Sequence, residues 1–193
     1  MSRFDHFDLL APLYDRLIRP PANSRLQEVA GLPIQGRLLD LGGGTGRITS
    51  RLHGMAGMLL VADTSRKMLK EAQQKGGLLA VACGAEQLPF RKESFERILI
   101  VDAFHHLADQ RASLEECLRV LAPAGWLVIE EPDIDRFAVK LIALAERLAL
   151  FRSRFWRAEA IASKLQGLGM QVQITRENQA AWVVAERPGD GGS

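Results

Sequence analysis

The residues from Asp40 to Gly46 have the types and spacing to grip a small charged molecule. An apolar run, Arg37-Leu38-Leu39, delivers the chain to Asp40-Leu41-Gly42-Gly43-Gly44-Thr45-Gly46, a carboxylate followed by glycines at alternate positions. Glycine reaches φ > 0 and carries no side chain, so the backbone here can bend sharply and come close to a ligand. The dinucleotide pattern G-x-G-x-x-G would place its last glycine at position 47, which is Arg47. A carboxylate at the turn also suits a ligand with an ammonium group and repels a pyrophosphate. Both points argue against an NAD-dependent oxidoreductase on a similar sheet, which stays as a rival class.

A second carboxylate, Asp63, closes the next apolar run, Met58 to Ala62. It lies about 20 residues beyond the glycines, where nucleotide-binding folds hold ribose hydroxyls. A carboxylate accepts from two vicinal hydroxyls at once. The competing role is a helix cap, with Thr64 and Ser65 as rival caps. His105 and His106 follow a further apolar run and titrate near neutral pH, which suits taking a proton from an acceptor; packing or capping is the other use of either ring. Glu130, Glu131 and Asp133 follow the next run, with the reach to orient a polar acceptor or bind a cationic amine. Cys83 and Cys117 are too few for a disulfide framework or a zinc site, and no metal is expected.

The elements that must position these groups can be read from apolar patterning. Strands are predicted near 37–41, 58–62, 78–82, 96–101 and 125–130, with helices near 46–53, 65–75 and 109–121. Continuous rather than alternating apolar runs imply strands buried on both faces, hence a mostly parallel sheet. Right-handed crossovers then bring Asp40, Asp63, Gly84 and Asp102 to one edge, where ligands bind in such sheets. Upstream, Phe4, Phe7, Leu10, Leu13, Tyr14, Leu17 and Ile18 fall at helical spacing up to Pro20-Pro21, and 23–31 predicts a second short helix. Downstream, Phe137, Leu141, Leu144, Leu148, Phe151 and Phe155 form one stripe, and Lys140, Arg147 and Arg154 recur beside it. That stripe predicts a long helix, packed on the domain, on a twin subunit or over a greasy substrate. A helix over 158–168 and two strands, near 170–175 and 180–185, close the chain.

Four ordered motifs over 37–131 resemble the class I S-adenosylmethionine (SAM)-dependent methyltransferases. They are the Asp40 to Gly46 turn with Asp63; Gly84-Ala85-Glu86-Gln87-Leu88-Pro89-Phe90, similar to the family's G-D-A-x-x-L-P-F; the hydrophobe-His-His at 104–106; and the helix, Pro/Gly turn and strand over 114–129. The closest resemblance is to the ubiquinone/menaquinone-biosynthesis-like (methyltransferase type 11) branch. It implies an α/β, Rossmann-like three-layer sandwich: a mostly parallel seven-stranded sheet with an antiparallel C-terminal edge strand and helices on both faces. It implies one domain over 1–187, with an N-terminal helical cover (1–34), an inserted basic amphipathic helix or lid (134–157) and a disordered tail (188–193). It implies SAM as cofactor and S-adenosylhomocysteine as product, held by Asp40, Gly42, Gly43, Gly44, Gly46, Asp63, Thr64, Met68, Gly84, Ala85, Glu86 and Asp102. His105 and His106 become the catalytic candidates, and Tyr14 and Glu131 line the substrate pocket. The family's adenine-binding aspartate is Gly84 here, so that bond must come from elsewhere. Methyl transfer to O, N or C of a small molecule follows by in-line displacement, with a catalytically silent SAM-binding regulatory module as the alternative.

Composition narrows the partners. Of 193 residues, 47% are hydrophobic and 25% charged, ordinary for a globular protein, and the net charge of +2 is too weak to argue for nucleic acid. The first residues lack a signal-peptide core and no run spans a bilayer. A cytoplasmic protein is expected, with these partners: a small-molecule acceptor that is amphipathic if the basic stripe meets it, no nucleic acid, peripheral membrane contact at most, and a second copy of the chain if the stripe meets its twin.

Overall fold

The continuous apolar runs become strands that pair side by side. The computed structural model describes residues 23–133 and 154–189. Its strands are β1 (Arg37–Leu41), β2 (Met58–Asp63), β3 (Leu79–Ala82), β4 (Phe95–Val101), β5 (Leu121–Pro132), β6 (Gln171–Glu177) and β7 (Ala180–Glu186). Its helices are α1 (Asn23–Val29), α2 (Arg66–Gln74), α3 (Gln110–Val120) and α4 (Ala158–Gly167). The seven strands form one sheet in the order β3-β2-β1-β4-β5-β7-β6. β1 to β5 are mutually parallel, and β7 runs antiparallel to both β5 and β6. The predicted antiparallel strand is thus the C-terminal one, but it lies inside the sheet and β6 takes the edge. This is why 171–177 alternates in burial while β7 is largely covered.

Successive strand residues point to opposite faces, and the two faces have separate cores. On one, Leu39, Ile98, Ile100, Leu127 and Ile129 pack with Leu114 and Cys117 of α3 and Ile161 and Leu165 of α4. On the other, Leu38, Val61, Leu99 and Val128 pack with Leu26 and Val29 of α1, Leu69 of α2, and Ile48 and Leu52. The sandwich therefore has three layers. Among the described residues no helix is long and apolar enough to cross a membrane.

Three expectations change. The helix predicted at 46–53 is a single 3-10 turn, Thr49–Leu52, because Gly42, Gly44 and Gly46 all sit at positive φ and the chain is still turning up to residue 48. The fifth strand begins at Leu121, not 125. Pro123-Ala124-Gly125 lies inside its irregular start, where the register slips between Phe95 and Arg97 and Ala124 takes a positive φ. Residues 154–157 are not helical: the chain is extended there, and Arg157 is the N-cap position of α4. Residues 134–153, with most of the predicted stripe, and residues 1–22, with Tyr14, lie outside the described residues.

The loop that follows β3 is pinned from α3. Arg119 donates to the carbonyls of Leu88 (2.9 Å) and Phe90 (2.8 Å), and Glu116 accepts from the Leu88 amide (2.7 Å) while pairing with Arg119. Arg119→Met keeps the apolar stem but leaves both carbonyls to water. It should cost about 1–2 kcal/mol, a fall in melting temperature of roughly 2–8 °C for a chain of this size. An unchanged thermal melt would show that water replaces these bonds without loss.

Candidate active site

The glycine turn is built by exclusion. A Cβ on Gly42 would lie 2.7 Å from that of Ala103, one on Gly43 2.6 Å from the Asp40 carboxylate, and one on Gly46 2.9 Å from Leu78. Each glycine lets the turn nest against a different neighbour. Gly44 differs. Its nearest neighbours are Asp63 Oδ2 and Met68 Sδ, both at an ordinary contact distance of 3.9 Å from the Cβ position, so this glycine is the least crowded of the four. Lys75 Nζ donates to the Thr45 carbonyl (2.6 Å) and ties the turn to the end of α2.

Asp63 stands beside that glycine. Its Oδ2 accepts from the Gly44 amide (3.0 Å) and its Oδ1 from the Ser65 amide (2.8 Å). The helix cap is Ser65, whose hydroxyl accepts from the Met68 amide (3.2 Å). Capping therefore does not consume the Asp63 carboxylate. These two bonds hold the carboxylate at the meeting point of the glycine turn and the start of α2. Thr64 is exposed and Met68 is buried. Asp40 is placed otherwise. It is 1% exposed, lies under Gly43 and accepts from the Thr49 hydroxyl. Burial pushes its carboxyl up to about 6, against the pull of the Thr49 bond and Arg47. The structure sets it beneath the turn rather than in the crevice, so any influence on an ammonium group acts through the turn.

At the end of β3, Gly84 leaves a space that Glu86 fills. Glu86 Oε2 lies 2.8 Å from where a Cβ on Gly84 would be, and Oε1 accepts from the Asp109 amide (3.1 Å). The carboxylate absent from position 84 is thus supplied two residues later. Ala85 is buried beside it. The neighbouring Cys83 thiol is pushed up to about 11 by burial, then by Asp63 and Glu86, and stays protonated.

The ends of β4 and β5 carry the rest. Asp102 has φ of 53° and its carboxylate is 3.8 Å from Arg47 Nη2. Phe104–His106 form a 3-10 turn held by Glu131, which accepts from the Phe104 amide (2.8 Å) and bonds His105 Nδ1 (2.7 Å). An ionised carboxylate only accepts, so the Nδ1 of His105 carries the proton. The His105 ring is buried, stacked on Phe155 (4.3 Å) and next to His106 (3.9 Å). Residue 154 closes the arrangement: its amide donates to the His105 carbonyl (2.8 Å) and its carbonyl accepts from Gln110 (2.7 Å). His106 is exposed at the rim. Glu130 is buried, and burial, then Asp102 and Glu131, push its carboxyl up to about 8. Thr49, Ser65 as settled cap, Arg47 as a buried cation and Phe155 as a stacking partner are the site residues that sequence reasoning did not assign. Among the described residues no cluster of His, Cys, Asp or Glu could hold a metal ion.

Because the folded pKa of Asp40 lies above the usual 3.8, the native chain holds a proton that the unfolded chain gives up. Stability is therefore lost as pH rises from about 4 to about 6. Asp40→Asn keeps an acceptor for Thr49 and removes that loss. Its stability relative to the parent should be greater at pH 8 than at pH 4 by about 2 kcal/mol. Melting curves at the two pH values check this, and an equal difference at both would show that Asp40 ionises freely in the fold.

A methyltransferase-domain family matches residues 39–129. The ubiquinone/menaquinone biosynthesis C-methyltransferase UbiE of Proteus mirabilis is 36% identical over 114 residues, covering 54% of this chain and 45% of that protein. UbiE of Azotobacter vinelandii is 29% identical over 189 residues, covering 82% and 74%. The chain thus spans about half the length of most of these curated relatives. A Thermotoga maritima structure described as a SAM-dependent methyltransferase, possible histamine N-methyltransferase, superposes with a TM-score of 0.78 at 23% identity, covering 94% of this chain and 98% of that one. The methyltransferase-domain match over 39–129 spans β1 to the core of β5 and contains the glycine turn and the Asp63 carboxylate.

Proposed function

We propose that this protein transfers the methyl group of SAM to the O, N or C atom of a small-molecule acceptor. The observation that carries the reading is Asp63. Its carboxylate is fixed by the Gly44 and Ser65 amides where the glycine turn after β1 meets the end of β2. That is a ribose grip. Bound there, SAM supplies the methyl group, the leaving group and the positive charge. The chain's own work is to hold and orient. Asp63 accepts from the ribose hydroxyls, Met68 stands beside Gly44, and Glu86 accepts from the adenine amino group in place of the missing aspartate. Asp102 stands at the tail end. His105, locked by Glu131 and Phe155, shapes the wall where an acceptor meets the methyl, and His106 is the rim group with access to solvent. In-line transfer needs placement more than a strong base, which fits a site without a nucleophile-base pair.

The UbiE relatives favour a carbon acceptor in a quinol ring by what their names say. The shared segment carries the cofactor half, so the acceptor does not follow from it. A SAM-binding module without turnover is the remaining reading, and labelled SAM with an acceptor panel separates it.

Titration calorimetry with S-adenosylhomocysteine tests the core of this reading. The parent chain should bind it. Asp63→Ala should bind roughly 10–100-fold more weakly, the loss of hydrogen bonds to a charged acceptor, and Asp63→Asn should lose less. An Asp63→Ala chain with parental affinity would remove the ribose assignment.

A further inference from the structure

Glu130 is a buried acid without a hydrogen bond to its side chain among the described residues. It is 9% exposed, and its carboxyl oxygens are not sealed from solvent. Its neighbours are all committed. Glu131 bonds His105 and the Phe104 amide. Asp133 pairs with Arg176 (3.4 Å), and Asp102 faces Arg47. An uncompensated carboxylate in such a place costs stability, so it is expected where a ligand's cation completes it.

Its position says which ligand. Leu38, Val61, Val101 and Val128 lie in the same core layer. Residues two further along a strand share that face, so Asp40, Asp63 and Glu130 all lie on one side of the sheet. They are spread across it in the order β2, β1, β4, β5. Asp63 marks the ribose on β2 and the glycine turn follows β1. Glu130 on β5 is three strands from the ribose grip, roughly 14 Å. That separates it from the ribose grip by the width of β1 and β4. Around it Asp102 and Glu131 stand against Arg47 and His105, so with Glu130 ionised the corner holds three carboxylates to two basic groups. A phenolate or carboxylate acceptor would be repelled there and an ammonium drawn in.

We propose that the acceptor is an amine that arrives protonated, and that Glu130 is its counter-ion and takes its proton. This rests on the methyl-transfer reading. The ammonium N–H proton passes to the Glu130 carboxylate. The freed nitrogen lone pair forms the N–C bond to the methyl carbon as the C–S bond breaks, and that electron pair stays on sulfur. The product leaves as a protonated, methylated amine, and the Glu130 proton returns to solvent. Burial, then Asp102 and Glu131, raise the Glu130 carboxyl to about 8 in the empty site, while Arg47 and His105 pull the other way. The carboxylate is the working form, so kcat/KM for an amine should climb with pH up to about 8.

The test uses the full chain and Glu130→Gln. Each is measured by thermal melt, by calorimetry with S-adenosylhomocysteine, and with labelled SAM on a panel of alkyl and arylalkyl amines, a phenol and a hydroquinone. Glu130→Gln should melt at or above the parent temperature and bind S-adenosylhomocysteine within about twofold. It should methylate the amine about 100-fold or more slowly and lose the climb toward pH 8. The inference is overturned if the parent methylates only the phenol or hydroquinone, or no amine in the panel, or if Glu130→Gln keeps the parental amine rate and pH profile. Joint loss of amine turnover and S-adenosylhomocysteine affinity assigns Glu130 to the cofactor and overturns it too. Failure of the parent to bind S-adenosylhomocysteine is the separate result that removes the methyl-transfer reading itself.

Discussion

The hydrogen bond from the Gly44 amide to the Asp63 carboxylate is the constraint on which the site depends. It joins the bend after β1 to the end of β2, two segments 19 residues apart in sequence. The same carboxylate accepts from Ser65 and so also sets where α2 begins. One side chain thereby fixes the height of the glycine turn and the direction of the following helix. Lys75, at the other end of α2, closes the loop by holding the Thr45 carbonyl. The turn is not a flexible glycine loop. It is clamped from both ends of α2, and Gly44 is its least crowded glycine.

Around this clamp the sheet edge gathers more acid than base. Asp40 and Glu130 are both buried and both raised, to about 6 and about 8. Each binds a proton in the folded chain that the unfolded chain releases, so each withdraws stability as pH rises between the ordinary carboxylate range and its own raised value. An edge built this way is at odds with itself when empty and is relieved by a cation. That is the electrostatic counterpart of a ligand carrying a sulfonium and an ammonium group.

How much of this was legible depended on the kind of signal. The five parallel strands could be read from apolar runs, which burial on both faces demands of β1, β2, β4 and β5 though not of the edge strand β3, and the alternation of 170–175 announced a half-exposed strand. The acids and glycines at strand ends could be read from spacing. The helix expected at 46–53 could not be refused from sequence. Ile48-Thr49-Ser50-Arg51-Leu52 has no breaker, and what prevents a helix is the accumulated positive φ of three upstream glycines. The end of the 134–157 stripe misled for a different reason. Phe155 fits the helical spacing, but its ring is wanted on His105, and a stacking contact overrides periodicity. Asp40 misled because sequence shows the type of a residue and not its depth. Nothing in the motif says that Gly43 lacks a side chain in order to cover a carboxylate.

The pair Glu130-Glu131 shows how far that last lesson reaches. The two acids are identical in type and adjacent in sequence, so no sequence argument separates them. A strand does, because it turns consecutive side chains to opposite faces. Glu131 falls on the face of the 104–106 turn, where the Phe104 amide and His105 Nδ1 occupy it, and it becomes a strut. Glu130 falls on the face of Asp63 and the glycine turn, where Arg47 is the cation and stands nearer Asp102. The same side chain is therefore a hydrogen-bonded strut at one position and, at the next, a buried acid without a hydrogen bond among the described residues. Only the second has hydrogen-bonding capacity left to give to a ligand.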